Sequence, residues 1–419
     1  MTINNQKLFP VITSTSCRLK WAWSTLYLNQ GNTTSCHRAS GSDIPEKFET
    51  FHNTSIKIQD RTAMLQGHWP GNGCEYCRDI EQSGGSSDRM FQNQIPEVYP
   101  KELDSNNQLT EVKPTILEVF FSNTCNLACV YCNAKYSSSI QAENKKFAGA
   151  ILPELDFKYT DNRYKELVPK FWEWFRLNSN TLQRLQILGG EPFLQKDVMQ
   201  LIEYFESTPH PDLEFNLVTN LSLPTDVLEP VLVKLKDLKQ KNKLKRIDIQ
   251  ASVDCWGVSQ EYIRYGFNQN TFERNMMLMI EMETFRIGLL STVTSLSIPS
   301  MPDLAIKYNQ WCEKQKIFWY MHLVLPNDQS VFDPTIFEYS LFKSHVDAVY
   351  KLLPKKTWDD KTTVESFDGI FLKLKQNCNN NLNRQHKLAQ YLQVNDNRRN
   401  ADWKKTFPWL VKELEHVVQ

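Results

Sequence analysis

No charge of either sign is in excess. Lys and Arg number 48, and Asp and Glu number 48, in 419 residues, so the formal net charge is zero. That removes the argument for nucleic acid or an anionic membrane as the main partner, because both draw a protein in through surplus basic charge. One basic run exists, KLKDLKQKNKLKR at 234–246. It alternates apolar and charged positions at helical spacing and reads as a solvated helix face. Long apolar runs are missing too. None approaches the roughly 20 residues of a membrane span, and MTINNQKLFP has no charged segment followed by an apolar one. A cytoplasmic location without membrane contact is therefore expected. No internal repeat is found. With 41% hydrophobic residues, the chain can bury a sizeable core and more than one domain.

What is present, against that plain background, is ten cysteines. Disulfides are not favoured in a reducing compartment, so metal ligation or catalysis is the better explanation. Four cysteines lie near the start: Cys17, Cys36, Cys74 and Cys77. Three more, Cys125, Cys129 and Cys132, stand within CNLACVYC, while Cys255, Cys312 and Cys378 are isolated.

From residue 115 onward a rhythm sets in. Apolar, β-branched runs occur at 116–121, 185–188, 214–219, 247–253, 287–294 and 317–325, with helix-like segments near 164–177, 197–207, 225–241, 271–284 and 303–315. Six strands alternating with helices predict an α/β fold with parallel pairing and right-handed crossovers. In such a sheet the chemistry sits beyond the carboxyl ends of the strands. The expected organisation is a Cys-rich N-terminal unit over 1–90, a polar linker over 91–114, the α/β unit over 115–325, and a helical C-terminal region over 326–419. FWEWF at 171–175 supplies Trp172, Trp174 and Phe175, a stripe expected in the core against the sheet. The tail segment NRRNADWKKTFPWL either closes over the α/β unit or forms a surface helix pair turning at Pro408.

Three thiolates within eight residues need an explanation of their own. Sulfur ligands select zinc or iron–sulfur clusters over magnesium or calcium. Structural zinc wants a fourth ligand, and no further Cys or His lies near; the next cysteine is Cys255. A cubane held by three cysteines leaves one iron open for chemistry. Spacing i, i+4, i+7 also fits one face of a helix, but Asn123, Asn126 and the preceding strand point to a loop.

CNLACVYC resembles the CxxxCxxC loop of the radical S-adenosylmethionine (radical SAM) enzymes, with Tyr131 as the aromatic before the last cysteine and the first strand immediately upstream. The resemblance implies an open, partial (β/α)6 barrel. It implies a [4Fe–4S] cluster on Cys125, Cys129 and Cys132 whose fourth iron is chelated by S-adenosylmethionine. One-electron reduction, from a donor such as ferredoxin or flavodoxin, then yields a 5′-deoxyadenosyl radical that abstracts hydrogen from substrate. LGGEP at 188–192 is similar to the family's GGE motif, which implies that Gly189, Gly190 and Glu191 face the cofactor's amino group. VTN at 218–220 resembles its TN turn. In QASVDCWG, Ser252 and Asp254 share a face by period two and are similar to positions that touch the ribose. Arg264, in EYIRYG, is similar to an arginine that meets the cofactor carboxylate.

The N-terminal cysteines include a CxxC, Cys74–Cys77, on a glycine-bearing turn. With Cys17 and Cys36 they make a four-thiolate set for either structural zinc or a second [4Fe–4S] cluster; His37 is an alternative ligand. The region resembles a twitch-type auxiliary-cluster module moved ahead of the barrel. SGGSSDRM at 83–90 reads as a loop leaving a helix, with Arg89 available to a carboxylate. Cys255, at the expected barrel mouth, is a candidate hydrogen-atom donor or a buried small hydrophobe. A peptide or protein side chain is the expected substrate. The rivals are a small-molecule dehydrogenation in the same superfamily and a non-catalytic zinc or iron–sulfur interaction protein.

Overall fold

A computed structural model describes residues 13–36, 39–82, 87–94, 111–324, 330–353 and 361–414. His37, residues 83–86, most of the expected linker (95–110) and the opening MTINNQKLFP lie outside the described residues.

Nine strands form one sheet. They are β1 (Trp23–Tyr27), β2 (Asn32–Thr34), β3 (Ser42–Asp43), β4 (Ile116–Phe120), β6 (Arg184–Leu188), β7 (His210–Thr219), β8 (Leu244–Ser252), β10 (Arg286–Val293) and β11 (Ile317–Leu323). Two short strands, β5 (Ala128–Cys129) and β9 (Arg264–Tyr265), pair separately. In space the sheet runs β11-β10-β8-β7-β6-β4-β1-β2-β3, so from β4 onward each sheet strand lies beside the one before it, while β4 itself returns to the free edge of β1. All six strands read from residues 116–325 are present and parallel, and each of the five expected helices falls between two of them. The fold is the α/β architecture expected of a partial barrel, followed by a helical C-terminal region.

The seventh parallel strand was not expected. β1 pairs with β4 from Trp23↔Ile116 to Tyr27↔Phe120, and β2 and β3 continue antiparallel from it. The first segment therefore extends the sheet, and a boundary at residue 90 cuts through one hydrogen-bonded ladder. WSTLY escapes sequence reading because it is short and half polar, and it directly follows the helical turn Leu19–Ala22.

The two faces of the sheet differ. Leu117, Val119, Leu185, Ile187, Phe215, Leu217, Ile247 and Ile249 are fully buried on the face covered by helices. There Phe171 meets Phe121 edge-on at 5.2 Å, and Phe205 meets Phe215 at 5.4 Å. Period two puts Glu118, Gln186, Asn216, Asp248 and Arg286 in a row on the other face. Near the strand starts that face is closed by ion pairs running Arg184–Glu214–Arg246–Asp248–Arg286 at 2.7–3.2 Å. Charge thus fills one end and leaves the carboxyl end for a site.

Candidate active site beyond the strand ends

Two residues after Phe120 the chain leaves β4 and forms the three-cysteine loop. Polar side chains, not helical periodicity, shape it. Asn123 donates to Ala134 O at 2.8 Å and to Gln141 Oε1 at 2.9 Å. Ser137 Oγ donates to Leu127 O at 2.6 Å, and Ser139 Oγ to Cys125 O at 2.8 Å. Cys129 pairs with Arg264 across the β5–β9 ladder. The result folds the loop back on itself and keeps its three thiols within electrostatic reach of one another. Burial, and then the neighbouring Cys129 thiol, push Cys125 up to about 12, and burial with both neighbours raises Cys132 as well. Free thiols packed this closely favour a soft cation that would take them as thiolates.

The glycine pair lies against this loop. Gly190 has φ +59°, and a Cβ there would collide with the carbonyl oxygen of Thr124, which itself accepts from Glu191 N at 2.7 Å. Only glycine allows that approach. Glu191 was expected to face a cofactor amino group, but its carboxylate turns inward and is fully buried. Its Oε1 accepts from Thr219 Oγ1 at 2.7 Å and Phe193 N at 3.2 Å, and its Oε2 from Asn220 N at 2.7 Å. Burial pushes it up to about 7. Glu191 therefore ties the end of β6 to the end of β7, and Gly189 O is likewise taken by Gln195 Nε2 at 2.6 Å. Asn220 completes the weld by donating to Asn126 Oδ1 at 2.8 Å.

Asp254 and Arg264 do come together, but with each other. Arg264 Nε and Nη2 reach the two oxygens of Asp254 at 2.9 and 3.0 Å. Tyr131 OH donates to Asp254 Oδ2 at 2.6 Å, and Thr292 N to Oδ1 at 2.8 Å. Four donors saturate the carboxylate, so Asp254 anchors the cysteine loop to the sheet and is not an open acceptor for a ribose. Tyr131 is consequently held by its hydroxyl. Ser252 ends β8 on the open face beside Leu290. Cys255 is fully buried; its thiol packs in the core and lies 3.8 Å from Gln260 Oε1. It does not reach the strand-end opening, which corrects its expected place as a hydrogen-atom donor. The turn after Asp254 aims it under the helix Val258–Ile263.

Several contributors carry no sequence motif. Tyr391, on the C-terminal helix Leu382–Arg399, donates to Val130 O at 3.2 Å. Arg399, from the same helix, lines a small cavity with Cys129, Cys132, Glu143 and Asn144. Two buried donors there, Arg399 Nη1 and Asn144 Nδ2, have no hydrogen-bond partner. Among the described residues no three Cys, His, Asp or Glu side chains converge as ligands of a single metal ion. A cubane asks for less: its irons stand between the thiolates and hold them farther apart. Three clustered thiols, a glycine approach and two donors lacking acceptors fit a sulfur-rich anionic cluster.

The N-terminal cysteines gather elsewhere. Cys17 and Cys74 are buried among Trp21, Trp23, Met64 and Ile116, with Cys36 against them, and burial pushes Cys17 up to about 12 and Cys74 to about 11. Cys77 is raised as well, by burial first. Trp23 and Ile116 open β1 and β4, so this group sits at the amino end of the sheet, roughly a 16 Å strand length from the other. Arg89, expected to be available to a carboxylate, is committed to Glu81 and to Ser16 O.

Residues 119–252 match the family model described as the Radical SAM superfamily. No curated protein sequence matches the chain. Among solved structures, "Native anSMEcpe with bound AdoMet" is 15% identical with a TM-score of 0.38; the match covers 56% of this chain and 60% of that one. Streptococcus suis SuiB bound to S-adenosylmethionine is 13% identical with a TM-score of 0.38, covering 74% of this chain and 64% of that one. The chain thus spans less than two thirds of either protein's length. Among the described residues no helix is long and apolar enough to cross a membrane. Residues 119–252, from β4 to the end of β8 with the three-cysteine loop between them, are what this chain shares with the radical SAM superfamily.

Proposed function

We propose that Cys125, Cys129 and Cys132 hold a [4Fe–4S] cluster and that the chain uses S-adenosylmethionine on it to modify a peptide or protein side chain. One observation supports the reading: three clustered thiols beyond the strand ends, on a loop tied to the Gly189–Gly190 turn and to the end of β8. When bound and reduced by one electron, the cluster and cofactor supply a 5′-deoxyadenosyl radical, which takes hydrogen from substrate.

The chain's own residues hold and shield. Gly190 lets the backbone come close to the loop, and Glu191 locks the β6 and β7 turns. Ser252 offers a hydroxyl at the end of β8, and Arg264, with Nε and Nη2 on Asp254, has Nη1 for a cofactor carboxylate. The open face above the ion pairs, with Gln250, Ser252, Thr292 and His322, receives the substrate. The regions appended on both sides of the barrel supply surface for a peptide chain. A ferredoxin or flavodoxin serves as electron donor. The four N-terminal cysteines hold a second cluster, with zinc as the alternative, at the far end of the sheet.

Anaerobic reconstitution tests this. Wild type is expected to bind about eight irons, and the variant with Cys125, Cys129 and Cys132 all replaced by Ala about four fewer. That variant must lose cleavage to 5′-deoxyadenosine and keep its N-terminal metal. Cleavage that survives the triple replacement, or zinc without iron in wild type, overturns the assignment.

A further inference from the structure

Arg399 is the last residue of the helix Leu382–Arg399, some 270 residues beyond the cysteines it adjoins. Its side chain is 4% exposed and makes a two-point pair with Glu143: Nε to Oε2 at 2.9 Å and Nη2 to Oε1 at 3.3 Å. The guanidinium lies 4.9 Å over the ring of Tyr265, which pairs with Ala128 beside Cys129. The third nitrogen, Nη1, is buried and has no partner. Arg399 lines a cavity of about 20 Å³ together with Cys129 and Cys132.

An arginine is an expensive group to bury with a donor unpaired. The helix nevertheless invests heavily in presenting it. Tyr391 bonds Val130 O, Arg398 Nη1 bonds Gly149 O at 3.0 Å, and Asp396 accepts from Tyr262 OH at 2.7 Å and from Trp403 N at 2.6 Å. These contacts fix both flanks of the cysteine loop against the last turn of the helix. Asn144 Nδ2, the other unpartnered donor, lines the same cavity. Two donors with no acceptor, beside two thiols, describe a wall built for an anionic sulfur group.

We propose that Arg399 is a positioning residue of the cluster, its Nη1 donating to sulfur on the Cys129–Cys132 side and its charge easing one-electron reduction. This rests on the cluster assignment above. Hydrogen bonds and charge near cluster sulfurs are what set such potentials. Glu143 modulates the effect, since it neutralises part of the guanidinium charge at the same wall. The C-terminal helix thereby becomes part of the redox site.

The test is a spectroelectrochemical titration of the reconstituted, full-length protein without substrate. Arg399→Gln should leave the three-cysteine cluster about tenfold less reduced at a fixed poise, a downward shift of about 59 mV for one electron. Arg399→Lys, which keeps the charge, should recover most of that shift. Glu143→Gln should move the potential the opposite way, upward, because it removes a negative charge and leaves Arg399 in place. A role in merely fastening the helix would move Arg399→Gln and Glu143→Gln together. A shared direction, or an unchanged potential in Arg399→Gln, overturns the proposal. Wild type that takes up no iron at the loop refutes the cluster assignment instead, so the two failures are told apart.

Discussion

Asp254 takes four donors on two oxygens, and one of them, the buried Arg264, is a full cation. Removing the negative charge from such a pair strands the other half. Asp254→Asn should cost about 3–5 kcal/mol in urea unfolding of the metal-free protein. Tyr131→Phe removes one hydroxyl donor and should cost about 1–2 kcal/mol. Equal and small losses in both would mean the four-donor arrangement does not hold the loop.

Glu191 makes a pH-dependent prediction. Burial lifts its carboxyl from 4.5 to about 7 in the folded chain, so the folded state holds its proton more tightly than the unfolded one. The resulting stabilisation is complete below pH ~4.5 and lost as pH rises through ~7, a few kcal/mol in all. Glu191→Gln abolishes this titration. The stability of wild type relative to the variant should therefore fall between pH 5 and 7.5; a flat difference would refute the burial. Sequence reading found Glu191 through its glycines. Its direction was not legible, because LGGEP does not disclose that Thr219 and Asn220, almost thirty residues on, converge on the carboxylate. The same holds for Asp254, whose partners come from three separate segments.

At the scale of elements, the six barrel strands were readable because each is a compact β-branched run between helix-like stretches. β1 was not, and it makes the strongest structural claim about the N-terminal segment. Sandwiched between β2 and β4, it has ladder partners on both sides. Ser24→Pro removes an N–H in mid-strand and should cost about 3 kcal/mol or more. If β1 belongs to the sheet, the main unfolding transition of the whole protein drops. A detached N-terminal unit would instead lose only its own early transition and leave the main one in place. The helix Leu382–Arg399 is the other element whose importance sequence could not reveal. Its polar composition reads as a solvated tail, yet Gln385, Leu388, Tyr391, Leu392, Asn395 and Arg399 are buried, and its neighbour Phe407 meets Tyr262 edge-on at 5.1 Å.

At the scale of the whole molecule, two groups of cysteines occupy opposite ends of one sheet, with an ion-pair lattice between the faces' amino end and the open end. The spacing CxxxCxxC made the first group legible at once, since its ligands are local in sequence. The second is assembled from three distant segments, and only the tryptophan-rich packing around Cys17 and Cys74 brings them together.

From β4 onward the spatial order of the sheet strands follows their order in the chain, so on the ribosome the sheet can widen by simple addition at the edge that β1 leaves open. The loop at 125–132 is complete about 250 residues before the helix at 382–399 emerges. At ~5–20 residues per second this is an interval of roughly 12–50 s. If the loop holds the proposed cluster, this is the interval in which its thiols stand clear of that helix for loading. Once the final helix has packed on Val130 and Glu143, a chain released without the proposed cluster would have to loosen that helix to be loaded.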